Sequence, residues 1–339
     1  MTLDLPFPAA PAPGQTLAIA PGIVWLRMPL PFALDHINLW LIEEEGGWTI
    51  IDTGLASNKS RELWEAVFAG PMRGLPATRL ICTHFHPDHM GLADWLANRF
   101  GVTLETTLAE WLMGRSLSQA SNESFNAVAL PFYRAAGFGE DLLALAAQRG
   151  NGYASLTPVV PGQFTRIRAG DALTIGGRRW HVVVGEGHSP ELAALHCPER
   201  GVLISGDQIL PSITPNISVW PNEPEADPLG LFLDSLVRFR ELPEGTLVLP
   251  SHGLPFRGLH ARIDAMLAHH DERLERTLAA CATQISGTDA IKVLFRRELD
   301  DRQIFFAIGE ALAHLHRLRT RGLVAREIGA DGVQRWRRI

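Results

Sequence analysis

The run Thr83-His84-Phe85-His86-Pro87-Asp88-His89-Met90-Gly91 places four metal-capable side chains within six residues. Imidazole and carboxylate form a ligand set that suits zinc, and also iron or manganese. On an extended backbone side chains repeat every second residue, so His84 and His86 face the same way. Asp88 and His89 follow in a turn and can aim at a second, nearby point. A histidine cluster alone also fits a solvated, functionless surface. The flanks decide against that reading here. Residues 78–82 read as a short buried strand and 91–99 as a helix. Strand, polar loop and helix put the histidines at the carboxyl edge of a sheet, where α/β proteins place their sites.

A chain of 339 residues is long enough for one large domain and a small one. Its hydrophobic content of 46% and charged content of 20% are those of a globular protein. No apolar run reaches the roughly 20 residues of a membrane helix. The Pro/Ala-rich residues 1–14 lack the basic-then-apolar pattern of a signal peptide. Cys82, Cys197 and Cys281 are too widely spaced for a metal knuckle or a disulfide framework, so a cytoplasmic location is expected. The net charge of −6 is uneven, with 11 Lys+Arg against 7 Asp+Glu from residue 285 onward. That tilt is weak beside the basic stripe of a nucleic-acid binder.

Residues 16–20, 23–26, 38–43 and 47–52 read as strands and 58–69 as a helix. A short strand is expected at 102–105. Residues 107–150 have helical periodicity and interrupt the strand pattern, as a helical insertion would. Strands resume at 165–168, 172–176, 179–184, 192–197 and 202–206. A helix at 229–239 and a strand at 246–249 follow. The tail reads as a long helix at 258–283, helices at 288–295 and 303–321, and strands at 324–328 and 333–337. Two helices followed by a hairpin is a winged-helix pattern. The expected division is a catalytic domain over 1–257 and a connecting helix with a winged-helix-like domain over 258–339.

Later strands repeat one grammar, an apolar run that ends on a ligand-type residue. The examples are Gly187-His188-Ser189, Ser205-Gly206-Asp207 and Ser251-His252-Gly253, and Asp52-Thr53-Gly54 precedes them. With the His84-x-His86-x-Asp88-His89 loop, these motifs make the chain resemble the metallo-β-lactamase-fold hydrolases. The resemblance covers roughly 16–257. It implies an α/β fold, an αββα sandwich with a dinuclear site at its edge. It also implies a first metal held by His84, His86 and His188, a second by Asp88, His89 and His252, and Asp207 bridging the two. Asp88 would also orient the attacking water, and Asp52 would hold a ligand histidine by its other ring nitrogen. Two divalent ions are expected, zinc first, with iron or manganese also fitting the ligands.

Aspartate at 207 resembles the glyoxalase II and ribonuclease Z branches, since the β-lactamases proper commonly carry cysteine there. An intact His84 and His86 separates the chain from flavo-diiron relatives. The tail resembles the branch typified by β-lactamase-like protein 2, with its C-terminal winged helix. Gly187-His188-Ser189-Pro190 continues as Glu191-Leu192, and the glutathione-contacting domain of glyoxalase II is not recognisable.

The expected function is hydrolysis of a small thioester or ester, such as an acyl-CoA, by a metal-bridging hydroxide. The alternative is a single-stranded RNA endoribonuclease, and a DNA-binding regulator is the remote third reading. The partner is then a small molecule, with nucleic acid less favoured, no membrane, and a homodimer as the expected assembly. The long segment 210–227 after Asp207 is expected to shape the pocket, with Asn216 and Trp220 as substrate contacts and Tyr133 of the insertion as a weaker one. His36, His181 and His196 are expected in core or on surface, His314 and His316 in solvent, and His269 and His270 against the sandwich.

Overall fold

Along Ile37–Ile42 the side chains alternate between two separate cores, as strand geometry requires. Ile37, Leu39 and Leu41 face one set of helices, and Trp40 and Ile42 face a second sheet. A strand buried on both faces belongs in a layered sandwich. The computed structural model describes residues 3–339.

The first sheet begins with strands β1 (Thr16–Ala20), β2 (Ile23–Pro29), β3 (His36–Glu44) and β4 (Gly47–Ile51). Helix α1 (Asn58–Ala69), β5 (Ala77–Ile81), the short α2 (Pro87–Met90), α3 (Ala93–Phe100) and β6 (Leu104–Thr106) follow. Helices α4 (Leu108–Gln119), α5 (Asn122–Ala136), α6 (Glu140–Arg149) and α7 (Gly152–Leu156) precede β7 (Phe164–Arg166). The second sheet takes β8 (Ala172–Ile175), β9 (Arg178–Gly185), β10 (Leu192–Cys197) and β11 (Val202–Gly206). Helix α8 (Pro228–Phe239) then leads to its last strand, β12 (Leu247–Pro250). The tail comprises α9 (Leu259–Ala280), β13 (Ile285–Ser286), α10 (Gly287–Leu294), α11 (Gln303–Thr320), β14 (Val324–Ile328) and β15 (Gln334–Arg338).

The first sheet has the order β1-β2-β3-β4-β5-β6-β7 and the second β12-β11-β10-β9-β8. The core between them holds Trp25 and Trp40, stacked with ring centroids 6.1 Å apart, with Ile51, Ile81, Ile204 and Leu249. Truncating a tryptophan buried this completely costs about 3–5 kcal/mol. Helices α1 and α3 cover the outer face of the first sheet, while α8, α9 and the tail cover that of the second. The architecture is therefore the expected αββα sandwich with a C-terminal extension.

The stretch expected as an insertion has a topological reason. Strands β6 and β7 are parallel neighbours, and parallel neighbours need a long crossover connection. Helices α4 to α7 are that crossover.

In the tail, β13-β15-β14 form a small antiparallel sheet. Helix α11 does not lie on the surface. Ala307–Gly309 and Ala311–His316 are buried on all sides. His314 and His316 were expected in solvent and are instead wholly enclosed. Small residues such as Gly309, Ala311 and Ala313 let neighbouring segments approach the helix from several directions. His316 Nδ1 donates to the Ala226 carbonyl at 2.8 Å. His270 of α9 is buried edge-on to Phe232.

Candidate metal centre

Each candidate ligand follows the carboxyl end of a strand, all at one edge of the sandwich. His84 to His89 follow β5, His188 follows β9, Asp207 follows β11 and His252 follows β12. Two glycines set the fit. A Cβ on Gly91 would come within 2.3 Å of the Pro87 carbonyl and 2.8 Å of the Gly54 carbonyl, so this position seals the histidine loop against the turn after β4. Gly187 has φ +93°, and a Cβ there would lie 2.3 Å from the Pro228 carbonyl at the start of α8.

The side chains converge in two groups. Ligand atoms of His84, His86, His188 and Asp207 all lie within 4.8 Å of one another, and so do those of Asp88, His89 and His252. Asp207 stands between the groups. One of its oxygens is 3.3 Å from His188 Nε2. The other is 3.4 Å from His89 Nε2 and 3.5 Å from His252 Nε2. Asp88 Oδ2 is 3.4 Å from His252 Nε2. Three inward atoms, His89 Nε2, His188 Nε2 and Asp207 Oδ1, are buried without a hydrogen-bond partner. Unpaired buried polar atoms are costly, and converging nitrogen and oxygen donors are what divalent cations require. The residues fit a metal centre.

Outer contacts aim the rings. His89 Nδ1 donates to Asp52 Oδ2 at 2.8 Å, His188 Nδ1 to the Asn216 carbonyl at 2.8 Å, and His252 Nδ1 to the His36 carbonyl at 2.7 Å. In each ring Nε2 is left free to face inward. Asp52 is fully buried and also accepts from the Thr83 amide at 2.7 Å. Its φ of +63° is a left-handed conformation that aspartate tolerates better than most residues. The Thr83 hydroxyl donates to Asp52 at 2.9 Å and accepts from His84 Nδ1 at 3.1 Å, so His84 also presents Nε2.

The groups differ in charge. Burial pushes His84 well below its ordinary value and brings His86 down to about 3. For His89 burial acts the same way, but Asp52, Asp88 and Asp207 outweigh it and raise the ring well above 6.5. Burial also opposes the protonated form of His252, yet Asp207 and Asp88 lift it to about 10. Asp88 is lowered to about 2, the nearby His89 and His252 prevailing over desolvation.

Comparison with known proteins decides the family. The profile of the Metallo-beta-lactamase superfamily matches residues 33–252. The chain belongs to the metallo-beta-lactamase superfamily. The profile of the Metallo-beta-lactamase-like, C-terminal domain matches 274–339. A probable metallo-hydrolase of Bacillus subtilis, YqjP, is 24% identical over 303 residues, 86% of this chain and 91% of that protein. A beta-lactamase domain protein from Burkholderia ambifaria is 48% identical, with a TM-score of 0.91 over 99% of this chain and 98% of that one. A metallo-beta-lactamase family protein from Thermus thermophilus is 30% identical, with a TM-score of 0.79 over 95% of this chain and 100% of that one. This member of the metallo-beta-lactamase superfamily is a metal-dependent hydrolase with a His/Asp cluster for divalent cations. None of its described helices is long and apolar enough to cross a membrane.

Within this superfamily member, several residues around the cluster were not anticipated. Glu110, in the first turn of α4, is fully buried. Its Oε2 accepts from the Phe85 amide at 2.9 Å, and its Oε1 accepts from the Ser189 hydroxyl and the Glu191 amide, both at 2.7 Å. One carboxylate thus ties the loop of His84 and His86 to the loop of His188. Desolvation raises it to about 7. Tyr153 of α7 donates to the Phe85 carbonyl at 2.6 Å and braces the same loop. On the other side, Asn38 of β3 donates to the Pro250 carbonyl at 2.9 Å and the Gly253 carbonyl at 2.8 Å, fixing the turn that carries His252. His36 Nε2 accepts from the Gly253 amide at 3.0 Å.

The expected substrate contacts separate. Tyr133 is buried and stacks on Phe138, 5.2 Å between centroids, with Phe305 at its edge. It serves the packing between the crossover helices and the tail, which corrects the substrate-contact expectation. Asn216 reaches the site through its carbonyl, while its amide group is engaged by Glu310 and Ser218. Trp220 is half-buried in the segment after Asp207.

Proposed function

We propose that this hydrolase holds two divalent cations, zinc foremost, and cleaves a small thioester or ester such as an acyl-CoA. The orientation of Asp207 carries the reading, with one oxygen 3.3 Å from His188 Nε2 and the other 3.4 Å from His89 Nε2 and 3.5 Å from His252 Nε2. A carboxylate so placed suits a pair of ions held close together. When bound, such a pair supplies Lewis acidity and water whose pKa is lowered toward about 7.

The protein's own groups complete the chemistry. Asp88 is the more open of the two site carboxylates, its side chain 19% exposed against 10% for Asp207. Its second oxygen would orient the attacking water, accept its proton and pass that proton to the leaving sulfur. Asp52 keeps His89 in the tautomer that offers Nε2. In thioester hydrolysis the water oxygen bonds to the acyl carbon, the carbon–sulfur bond breaks, and the sulfur leaves as a thiol once protonated. The half-buried Trp220 in the segment after Asp207 suits an acyl group better than a polyanion.

The tail argues against the regulator reading, and charge against the nuclease reading. Its strand and helix order fits a winged helix, but α11, which would have to read a groove, is buried against the sandwich. The catalytic domain is also acidic, unlike the extended basic surface that tracks a nucleic-acid backbone.

The test follows free thiol from a panel of acyl-CoA thioesters of increasing chain length, with metal-replete protein and Asp207→Asn as the blank. Turnover that disappears in the variant is expected. Absence of thiol release, with cleavage of single-stranded RNA instead, would overturn the thioester assignment.

A further inference from the structure

We infer that helix α11 positions the candidate ligand His188, which makes the C-terminal extension a working part of the metal centre. This rests on the metal-site reading above and extends it.

His188 Nδ1 is held by the carbonyl of Asn216. Residues 216–219 lie outside any helix or strand, so the ladder of a sheet does not fix that carbonyl. Helix α11 does. The Val219 amide donates to the Gly309 carbonyl at 3.1 Å. The Asn216 side-chain amide lies 3.3 Å from Glu310 Oε2, and the Ser218 hydroxyl donates to Asn216 Oδ1 at 2.6 Å. Glu310 is held in turn by Arg273 of α9, 2.7 Å from its other oxygen. The backbones are in direct contact. A Cβ on Gly309 would lie 2.7 Å from Ser218 Oγ and 3.1 Å from the Val219 carbonyl oxygen.

Plain packing accounts poorly for this arrangement. The Arg273 and Glu310 side chains are 11% and 13% exposed. A pair so buried contributes little net stability, because desolvation offsets the attraction. What it provides here is a fixed direction for the side-chain amide of Asn216, the residue whose carbonyl holds the candidate ligand His188. Outer partners of metal-bound histidines act in this way, and losing them costs about 10- to 100-fold in metal affinity.

The test titrates metal-stripped protein with Zn2+ in competition with a chromophoric chelator, and records Co2+ absorption spectra alongside. His188→Ala and His252→Ala serve as references, each lacking a ligand of one ion. Gly309→Ala adds one methyl group and touches no ligand. It should weaken one ion about tenfold or more, and its Co2+ spectrum should match that of His188→Ala rather than His252→Ala. Glu310→Gln provides a second probe should the alanine variant not fold, with the same direction expected. A merely structural helix would lower thermal stability without singling out one ion. Variants that bind both ions like the parent, or weaken both equally, would overturn the inference. A parent protein that binds fewer than two ions would overturn the two-metal reading itself, which is a separate outcome.

Discussion

The two candidate ligand groups meet at Asp207 but are supported from different places. Asp88, His89 and His252 are held from within the sandwich, by Asp52 after β4 and by His36 and Asn38 of β3. His84, His86 and His188 are held in addition from outside it. Glu110 and Tyr153 come from the crossover helices, and the Asn216 carbonyl is gripped from the tail. The charge pattern differs as well. Burial lowers the His84 and His86 rings, whereas neighbouring carboxylates raise those of His89 and His252. The lesson is that one group is held by the sandwich itself, while the other depends also on the crossover helices and the tail.

The largest effect that would sharpen this contrast is expected from Asp52→Asn. Asparagine tolerates the left-handed backbone, so the change falls on the hydrogen bonds. An amide nitrogen would face either His89 or Thr83, both donors. Affinity for the ion of the Asp88 group should fall about 10- to 100-fold, with a smaller loss at the other ion because Asp52 also holds the Thr83 hydroxyl that orients His84, as read by Zn2+ competition. Equal loss of both ions would break the comparison.

A somewhat smaller effect of opposite selectivity is expected from Glu110→Gln. Its carboxylate accepts three hydrogen bonds, and one glutamine nitrogen must turn toward a donor. The ion of the His84 group should bind about tenfold more weakly, and the midpoint of thermal unfolding should fall, since an unsatisfied buried group costs about 1–3 kcal/mol. A selective loss of the other ion would contradict the assignment of Glu110 to the outside support.

The smallest effect concerns acid. Burial, reinforced by Arg273 and His269, holds His270 near 2 and His314 near 3, both below the ordinary 6.5. Both pKa values are depressed on folding, so the unfolded chain takes up protons first as pH falls. The stability of the α9–α11 contact is then fully present above about pH 6.5 and lost progressively below it. Urea midpoints should therefore drop between about pH 7.5 and 5, and His270→Leu should flatten that dependence. An unchanged slope would show that acid acts elsewhere.

Much of this was legible in the sequence for a physical reason. A buried strand ending on Gly and then a ligand-type side chain is a local pattern, so the strands and the residues that now converge could be read directly. What escaped was support that acts at long range. Thr107-x-x-Glu110 has the spacing of a helix-capping pair, which disguises Glu110 as a local device. In the structure the Thr107 hydroxyl donates instead to the Glu191 carbonyl, and Glu110 turns inward. His314 and His316 suggested a solvated face because arginines follow them, and only the packing on all sides of α11 reveals otherwise. Asn216 was read for its side chain, while its backbone carbonyl is what reaches the site.

The grip of Gly309 and Glu310 on the segment 216–219 also has a consequence for how the protein comes into being. Synthesis runs from the amino terminus, so His188 and its carbonyl partner leave the ribosome long before the helix that steadies them. A nascent chain can complete its sandwich and still lack a settled first site. The first site then settles only once α11 has emerged.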